Sequence, residues 1–311
     1  MSIFDAIIQG IVQGLTEFLP VSSSGHLAIT QHIMGVTENN LFFNVMLHIG
    51  TLVAVIAFYY KLIWRLIKEF FAIIGDIFTK KFSFKNMNHD RKMIFMLIVA
   101  LIPLFLLFAP IPGTDMKVKD FAEVLSGDSK YFIVVGFSLL ATSILLTFGN
   151  VFNKRLKKKE EKQGTLSQLG AGKQSLTVLD AIVVGLTQVC AAVFPGLSRS
   201  GSTLAAGQLR GVNRQSALDF TFIMAVPSIL AAAVLELSDA VSAPGGIGIS
   251  IGVIIAGMLA SAIVGYLSIV LFKWLLKTDK MIIFIVYTAV VGIAVVVVSI
   301  IEMNIGHNIF V

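Results

Sequence analysis

Six stretches of this chain are apolar over about 20 residues, the length a helix needs to cross a hydrocarbon core. They run from Leu41 to Tyr60, Met93 to Pro112, Tyr131 to Gly149, Ala217 to Leu235, Ile247 to Phe272 and Met281 to Ile301. In lipid every backbone N–H and C=O must be paired internally, so only helices and closed barrels span a bilayer. The polar breaks lie a helix length apart, unlike the short apolar-polar alternation of an outer-membrane barrel. The sequence therefore predicts one all-α polytopic membrane domain over residues 1–311, with about six transmembrane helices. Composition agrees: 56% of residues are hydrophobic and 14% charged, at a mean hydropathy of +0.89, well beyond a soluble domain. The N-terminal stretch carries Asp5 in place of a basic leader and is read as part of the mature protein. The single cysteine, Cys190, excludes an internal disulfide framework or a multi-thiolate metal site and is expected as a small buried residue.

The net charge of +6 is explained by membrane topology rather than by nucleic acid. Residues 61–92 hold eight Lys/Arg and residues 154–173 seven, with Arg210 and Arg214 in a third basic segment and three more in residues 273–280. The positive-inside rule makes these segments cytoplasmic. The alternate loops are neutral or acidic, with three Lys against four Asp/Glu in residues 113–130 and Glu236 and Asp239 alone in residues 236–246. This arrangement puts the loop before Leu41 and the C-terminus outside. The run K-R-L-K-K-K-E-E-K at 154–162 reads as a solvated cytoplasmic loop within residues 150–174, close to anionic headgroups.

A shift of 175 residues superimposes D-A-I-I-Q-G-I-V-Q at 5–13 on D-A-I-V-V-G-L-T-Q at 180–188, and pairs Pro20 with Pro195 and Ser23 with Ser198. After a two-residue slip, residues 43–54 align with 220–231. The two repeats run from about 3 to 149 and from 178 to 301. Three spans separate the two starts, and an odd number reverses the direction of crossing, so the repeats are inverted. Each opens with about 25 residues broken by Pro and then Ser/Gly, too interrupted to cross unbroken. Such backbone is tolerated at membrane depth only where buried or lining a wet cavity. The expectation is two re-entrant helix-turn-helix hairpins, 3–33 from outside and 178–210 from the cytoplasm, whose tips meet.

The first tip reads Q-G-L-T-E-F-L-P-V-S-S-S-G-H, residues 13–26. Gln13 and Glu17 share a helix face, Pro20 stops the helix, and Ser22, Ser23 and Ser24 lead to His26, with a serine suited to cap the next helix. A carboxylate near the bilayer centre costs roughly 2.5 to 3.5 kcal/mol even on the lenient insertion scale, which points to function. The second tip, P-G-L-S-R-S-G-S-T at 195–203, offers a Gly/Ser turn at a helix N-terminus to an anion. Arg199 adds a fork matched to phosphate oxygens, and Ser198, Ser200 and Thr203 add hydroxyls. One tip supplies a base, a histidine and hydroxyls, the other an anion cradle around Gly196 to Gly201; together they describe a phosphoryl-transfer site.

These two segments resemble the signature motifs of the bacterial undecaprenyl-diphosphate phosphatase family, also called the bacitracin-resistance family, and the likeness runs over the whole chain. The resemblance implies an integral enzyme of the bacterial cytoplasmic membrane. Such an enzyme removes the terminal phosphate of undecaprenyl diphosphate, recycles the lipid carrier for peptidoglycan synthesis and confers bacitracin tolerance. It implies a divalent cation, Mg²⁺ or Ca²⁺, for which Glu17 is the candidate ligand. It places the first motif's acidic-or-amide positions on Gln13 and Glu17, its serines on Ser22 and Ser23 and its histidine on His26, and the second motif's residues on Ser198, Arg199 and Thr203. One departure is that Gln13 stands where many members carry glutamate.

The expected mechanism has Arg199 and the neighbouring amides hold the diphosphate, while Ser23 or a water attacks the terminal phosphorus. His26, on the same helical face as Ser23, moves the proton. Glu17 orients His26 or holds the cation. His32 and His48 are read as structural, His89 and His307 as loop residues, and Arg210, Arg214 and Asp219 as salt-bridge or topology residues at the cytoplasmic edge. Inverted repeats and broken helices also describe a secondary transporter or a flippase for a polyprenyl-phosphate lipid; the hydroxyl, histidine and arginine set favours the enzyme. The partners expected are the polyprenyl diphosphate and the bilayer, with homo-oligomerisation left open.

Overall fold

Ser2 and Thr177 cap their helices in the same way. Each side chain accepts from the amide three residues on, that of Asp5 or Asp180, and each aspartate bonds back to the cap amide, a closed capping box. Helices α1 (Ile3–Phe18) and α8 (Val178–Val193) follow, each of 16 residues. Beyond the proline breaks come α2 (Ser23–Ile33) and α9 (Arg199–Leu209), each of 11 residues. At 1.5 Å per residue these are about 24 and 16 Å long, short of a hydrocarbon core of about 30 Å. The computed structural model describes residues 1–35, 41–83, 87–127, 129–168, 170–242 and 249–310. Its other helices are α3 (Leu41–Phe58), α4 (Tyr60–Phe78), α5 (His89–Leu101), α6 (Val118–Gly127), α7 (Phe132–Gln163), α10 (Arg214–Ser242), α11 (Ile251–Lys277) and α12 (Ile282–Ile305).

Among the described residues, five helical stretches are long and apolar enough to cross a membrane: His89–Phe108, α7, Arg214–Leu235, α11 and α12. The α3–α4 pair makes a sixth, bent by 87° at its break. The protein is an all-helical, multi-pass membrane protein, and no strand occurs among the described residues, only isolated bridges.

Several boundaries differ from the sequence reading. Residues 61–92 are not simply a loop, because α4 fills most of their first half. Its apolar Leu66 and Ile73 are buried while Lys61, Arg65 and Lys68 face outward, so helical spacing sorts the basic residues onto one face. The second span is only partly α-helical. Pro103 lacks an N–H, and the chain continues from α5 as a 3-10 segment, Ile102–Phe108. The basic run 154–162 is helical, because Lys, Arg and Glu are good helix formers and α7 continues to a left-handed cap at Gly164. Residues 113–130 include α6. His89 begins α5 rather than lying in a loop. The loop before Leu41 (36–40) and the start of the span expected from Ile247 lie outside the described residues, as do 243–246 of the acidic loop. Cys190 is exposed; on α8 it falls on the face away from the buried Asp180, Val184 and Gln188.

Close packing of small residues sets the position of the first tip. In lipid little hydrophobic force drives helices together, so backbone approach through Gly and Ser takes its place. A Cβ on Gly10 would lie 2.4 Å from the Gly257 carbonyl oxygen, and one on Gly14 would lie 2.8 Å from the Gly265 amide nitrogen. Helix α1, which carries Glu17, is thus clamped on α11. An aromatic cluster follows Glu17 at the end of α1: Phe18 meets Phe222 edge-on at 5.3 Å, and Phe222 leads to Phe272 and on to Phe284.

Candidate active site

The first tip forms because Pro20 cannot continue α1. Ser22 then adopts φ 75° and ψ 104°, one of three non-glycine residues with positive φ among those described. Such a conformation persists only where its surroundings hold it. The Ser22 hydroxyl accepts from the Gly25 amide at 3.2 Å, and its carbonyl accepts from the His26 amide at 3.2 Å and from His26 Nδ1 at 2.7 Å. Ser23 is thereby placed as the first residue of α2.

The second tip turns at Gly196, φ +92°, which lies against the Val135 backbone of α7. Ser198 caps α9 by accepting from the Gly201 amide at 3.0 Å, and its own amide donates to Thr142 Oγ1 at 3.0 Å. The Leu197 amide bonds to the Phe194 carbonyl, and that of Gly196 to Ser24 Oγ at 3.4 Å. Much of the expected amide cradle is therefore engaged within the protein, as burial in a low-dielectric interior demands. The first amides of α9, those of Arg199 and Ser200, head the helix and have no intrahelical acceptor. Thr203, fully buried, turns its hydroxyl back to the Arg199 carbonyl at 2.7 Å and lies 3.2 Å from Thr221 Oγ1.

The tips touch. Gly25 packs on Gly196 and Gly201 on Pro20, while Ser200 Oγ donates to the Leu19 carbonyl at 3.1 Å. Glu17 is the centre of the contact. Arg199 Nη2 donates to its Oε1; Ser23 Oγ, at 2.6 Å, and Gln13 Nε2, at 2.9 Å, donate to its Oε2. Glu17 is only 3% exposed, whereas Arg199 keeps 24% of its side chain accessible. Ser23 is half-buried and Ser24 exposed. An acceptor, a hydroxyl and a guanidinium thus converge on one accessible patch.

A family profile described as Bacitracin resistance protein BacA matches residues 6–294. The chain belongs to that family. Among similar proteins, the undecaprenyl-diphosphatase of Alkaliphilus metalliredigens is 37% identical over 304 residues, 96% of this chain and 99% of the relative. Those of Methanosphaera stadtmanae and Bacteroides thetaiotaomicron are 33% and 34% identical, over 97% and 96% of this chain and 99% of each relative. The names of these relatives support the phosphatase reading and not the transporter or flippase alternative.

In this BacA-family chain no hydrogen bond joins His26 to Ser23 among the described residues. His26 Nδ1 serves the Ser22 carbonyl, and its Nε2 lies 2.8 Å from the hydroxyl of Tyr287 on α12, with the rings stacked at 5.5 Å. Tyr287 is a residue that sequence reasoning missed, for it lies 261 positions away within an apolar span. Thr142, fully buried on α7, was missed for the same reason. His48 was read as structural but stands beside the hub, its Nε2 3.5 Å from Glu17 Oε2. His32 pairs with Glu302 at 2.9 Å. Arg210 pairs with Asp180, Arg214 with Asp279 and Asp219 with Lys273.

The fit to a divalent cation rests on Gln13. Among the described residues no group of three His, Cys, Asp or Glu could hold a metal. The buried Gln13 Oε1, however, has no hydrogen-bond partner, while the Nε2 of the same amide donates to Glu17 Oε2 at 2.9 Å. Mg²⁺ is commonly held by one or two carboxylates and substrate phosphates rather than by an all-protein cage. Gln13 and Glu17 fit that substrate-completed kind of site.

Proposed function

We propose that this chain hydrolyses undecaprenyl diphosphate to undecaprenyl phosphate and inorganic phosphate, returning the lipid carrier to peptidoglycan synthesis and removing the diphosphate that bacitracin sequesters. It works in the bacterial cytoplasmic membrane with its basic segments in the cytoplasm and its C-terminus outside. The hairpins α1–α2 and α8–α9 are re-entrant, from outside and from the cytoplasm respectively.

One observation carries the reading: Glu17 holds the Ser23 hydroxyl on one carboxylate oxygen and the Arg199 guanidinium on the other. Arg199 and the leading amides of α9 bind the terminal phosphate and stabilise charge on its equatorial oxygens. Glu17 Oε2 takes the Ser23 proton as Oγ bonds to the terminal phosphorus. The bond from that phosphorus to the bridging oxygen breaks, and its electron pair leaves on undecaprenyl phosphate. Glu17 passes the Ser23 proton to the departing undecaprenyl phosphate. Water then attacks the phosphoserine, giving one proton to Glu17, which returns it to Ser23 Oγ as the phosphorus–Oγ bond breaks and phosphate departs. His26 holds the Ser22 turn that aims Ser23, with Tyr287 fixing its ring. Ser198, Ser200 and Gly201 keep the two tips in contact. A cation held by Gln13 and Glu17 supplies charge neutralisation to the diphosphate when bound.

The test is phosphate release from undecaprenyl diphosphate by purified protein in detergent. Activity in the wild type and its loss in Arg199→Ala are the expected results; equal rates in both would overturn the assignment. Rapid quench should trap phosphate on Ser23. If no covalent phosphate forms and labelled water enters phosphate in the first turnover, a water activated by Glu17 is the nucleophile instead.

A further inference from the structure

Helix α4 carries two apolar faces, and the protein covers only one of them. At 3.6 residues per turn Leu66 and Ile73 lie close together around the axis, and both pack into the hydrophobic core. Tyr60, Trp64, Ile67, Phe71 and Phe78 fall within about 60° of arc on a separate side, and the four aromatics among them are each more than half exposed. Beside this stripe, over a further arc of about 60°, stand the exposed Lys61, Arg65 and Lys68. A Cβ on Gly75, between the two arcs, would meet nothing within 4 Å. The free face is thus aromatic along its length and cationic along one edge.

The nearby acids do not offset that edge. Glu69 and Asp76 are both taken by Arg91 of α5, at 2.8 and 2.6 Å, and Asp90 is held by Arg65 at 3.1 Å. Lys61 and Lys68 have no carboxylate partner among the described residues. Their ammonium groups lie 5.8 Å from the Tyr60 ring centre and 5.3 Å from that of Trp64, within reach of cation–π attraction. The fold also sets the depth of this face. The 18 residues of α3 reach about 27 Å, nearly the depth of a hydrocarbon core, and the 87° bend then turns α4 into the membrane plane at its edge. Aromatic rings at headgroup depth, with basic side chains reaching outward from them, make an interfacial helix.

We propose that α4 binds anionic phospholipid at the membrane surface: Tyr60, Trp64, Phe71 and Phe78 enter the boundary of the acyl chains, and Lys61, Arg65 and Lys68 hold the phosphates of negatively charged headgroups. An acidic protein would meet the same cations but leave the aromatic stripe uncovered; a lipid monolayer satisfies both. Arg91 decides which face is free, because its bonds to Glu69 and Asp76 fix the roll of α4 about its axis.

The chain holds two tryptophans, Trp64 and Trp274, so Trp274→Phe makes Trp64 the sole reporter. The test is quenching of its emission in phosphatidylcholine nanodiscs that carry either brominated phosphatidylcholine or brominated phosphatidylglycerol at equal bromine content. Quenching by both is expected, about threefold stronger with the anionic lipid, since each cation near the surface favours it. In Lys61→Gln/Lys68→Gln on the same background the aromatic contact remains, and the two lipids should quench equally. The difference between wild type and Trp64→Phe gives the same reading where Trp274→Phe does not fold. Trp64 emission untouched by either lipid would overturn the proposal, because α4 then lies away from the bilayer. Equal quenching before the lysines are changed would overturn the anionic preference, and a preference that survives their loss would overturn their role in it. The readout is lipid contact and not hydrolysis, so it stands apart from the phosphatase reading.

Discussion

Glu17 and Arg199 are 182 positions apart, and their side chains meet in an ion pair that joins the two hairpin tips. Removing either partner leaves a charge in a buried setting, a change that costs about 3–5 kcal/mol when a buried pair is broken. Arg199→Ala should lower kcat by about 10² to 10³, the range for one electrostatic donor. Arg199→Lys should fail to restore it, because an ammonium lacks the planar fork. Phosphate-release kinetics on the two variants check both statements.

Tyr287→Phe removes the hydroxyl at His26 Nε2 and leaves that nitrogen without its partner. The loss is expected at about 1 kcal/mol in stability, with a several-fold fall in kcat as the Ser22 turn loosens. Thermal unfolding and steady-state rates would show it. A variant matching wild type in both would remove Tyr287 from the site.

Gly10→Ala puts a Cβ where the Gly257 carbonyl stands. That carbonyl and the Ala260 Cβ, 2.9 Å away, are not flexible side-chain ends, so α1 and α11 must separate, at a cost of about 1–3 kcal/mol. The displacement carries Glu17 with it, and unfolding temperature and activity should fall together.

Gln13→Glu adds a second carboxylate at the hub. Ca²⁺ and Mg²⁺ affinity rises with ligand charge, and the apparent cation requirement of the activity should move to lower concentration by about tenfold. Titration of chelator-treated protein with Mg²⁺ measures it; an unchanged requirement would place the cation elsewhere.

Asp279, in the turn between α11 and α12, supplies a pH prediction. Partial burial pushes its carboxyl up, but Arg214, donating at 2.6 Å, and Lys154 outweigh this and hold it below its ordinary 3.8. A folded-state value below the unfolded one means that the stabilisation is present above pH 3.8 and is lost as pH falls through the folded value. Because the carboxylate is 53% exposed, solvent screening limits the effect to about 0.5 kcal/mol. Asp279→Asn, which suits the positive φ of 58°, should lose less unfolding temperature than wild type between pH 5 and pH 3.

Much of the fold was legible because its signals are local. Apolar length marks the spans, and the prolines at 20 and 195 mark where α1 and α8 stop. Where local propensity competes with composition the reading slipped: α4 and the end of α7 are rich in charge, yet their residues are strong helix formers. Glu17, Ser23 and Arg199 stood out because polar groups are expensive in an apolar chain. His48 and Tyr287 gave no such signal, since a lone histidine or tyrosine within a span has the same sequence appearance in packing as in a site.

The sequence by itself determined which residues are costly enough in lipid to need a reason, and it paired the two tips through an internal repeat. Only the tertiary structure decided who bonds to whom. Ser23 gives its proton's direction to Glu17 rather than to His26, and the second tip's amides are partly used up within the protein. The physical reason is that hydrogen bonds depend on atoms brought within about 3 Å, and residues 182 and 261 positions apart reach that range only when helices from both repeats pack together.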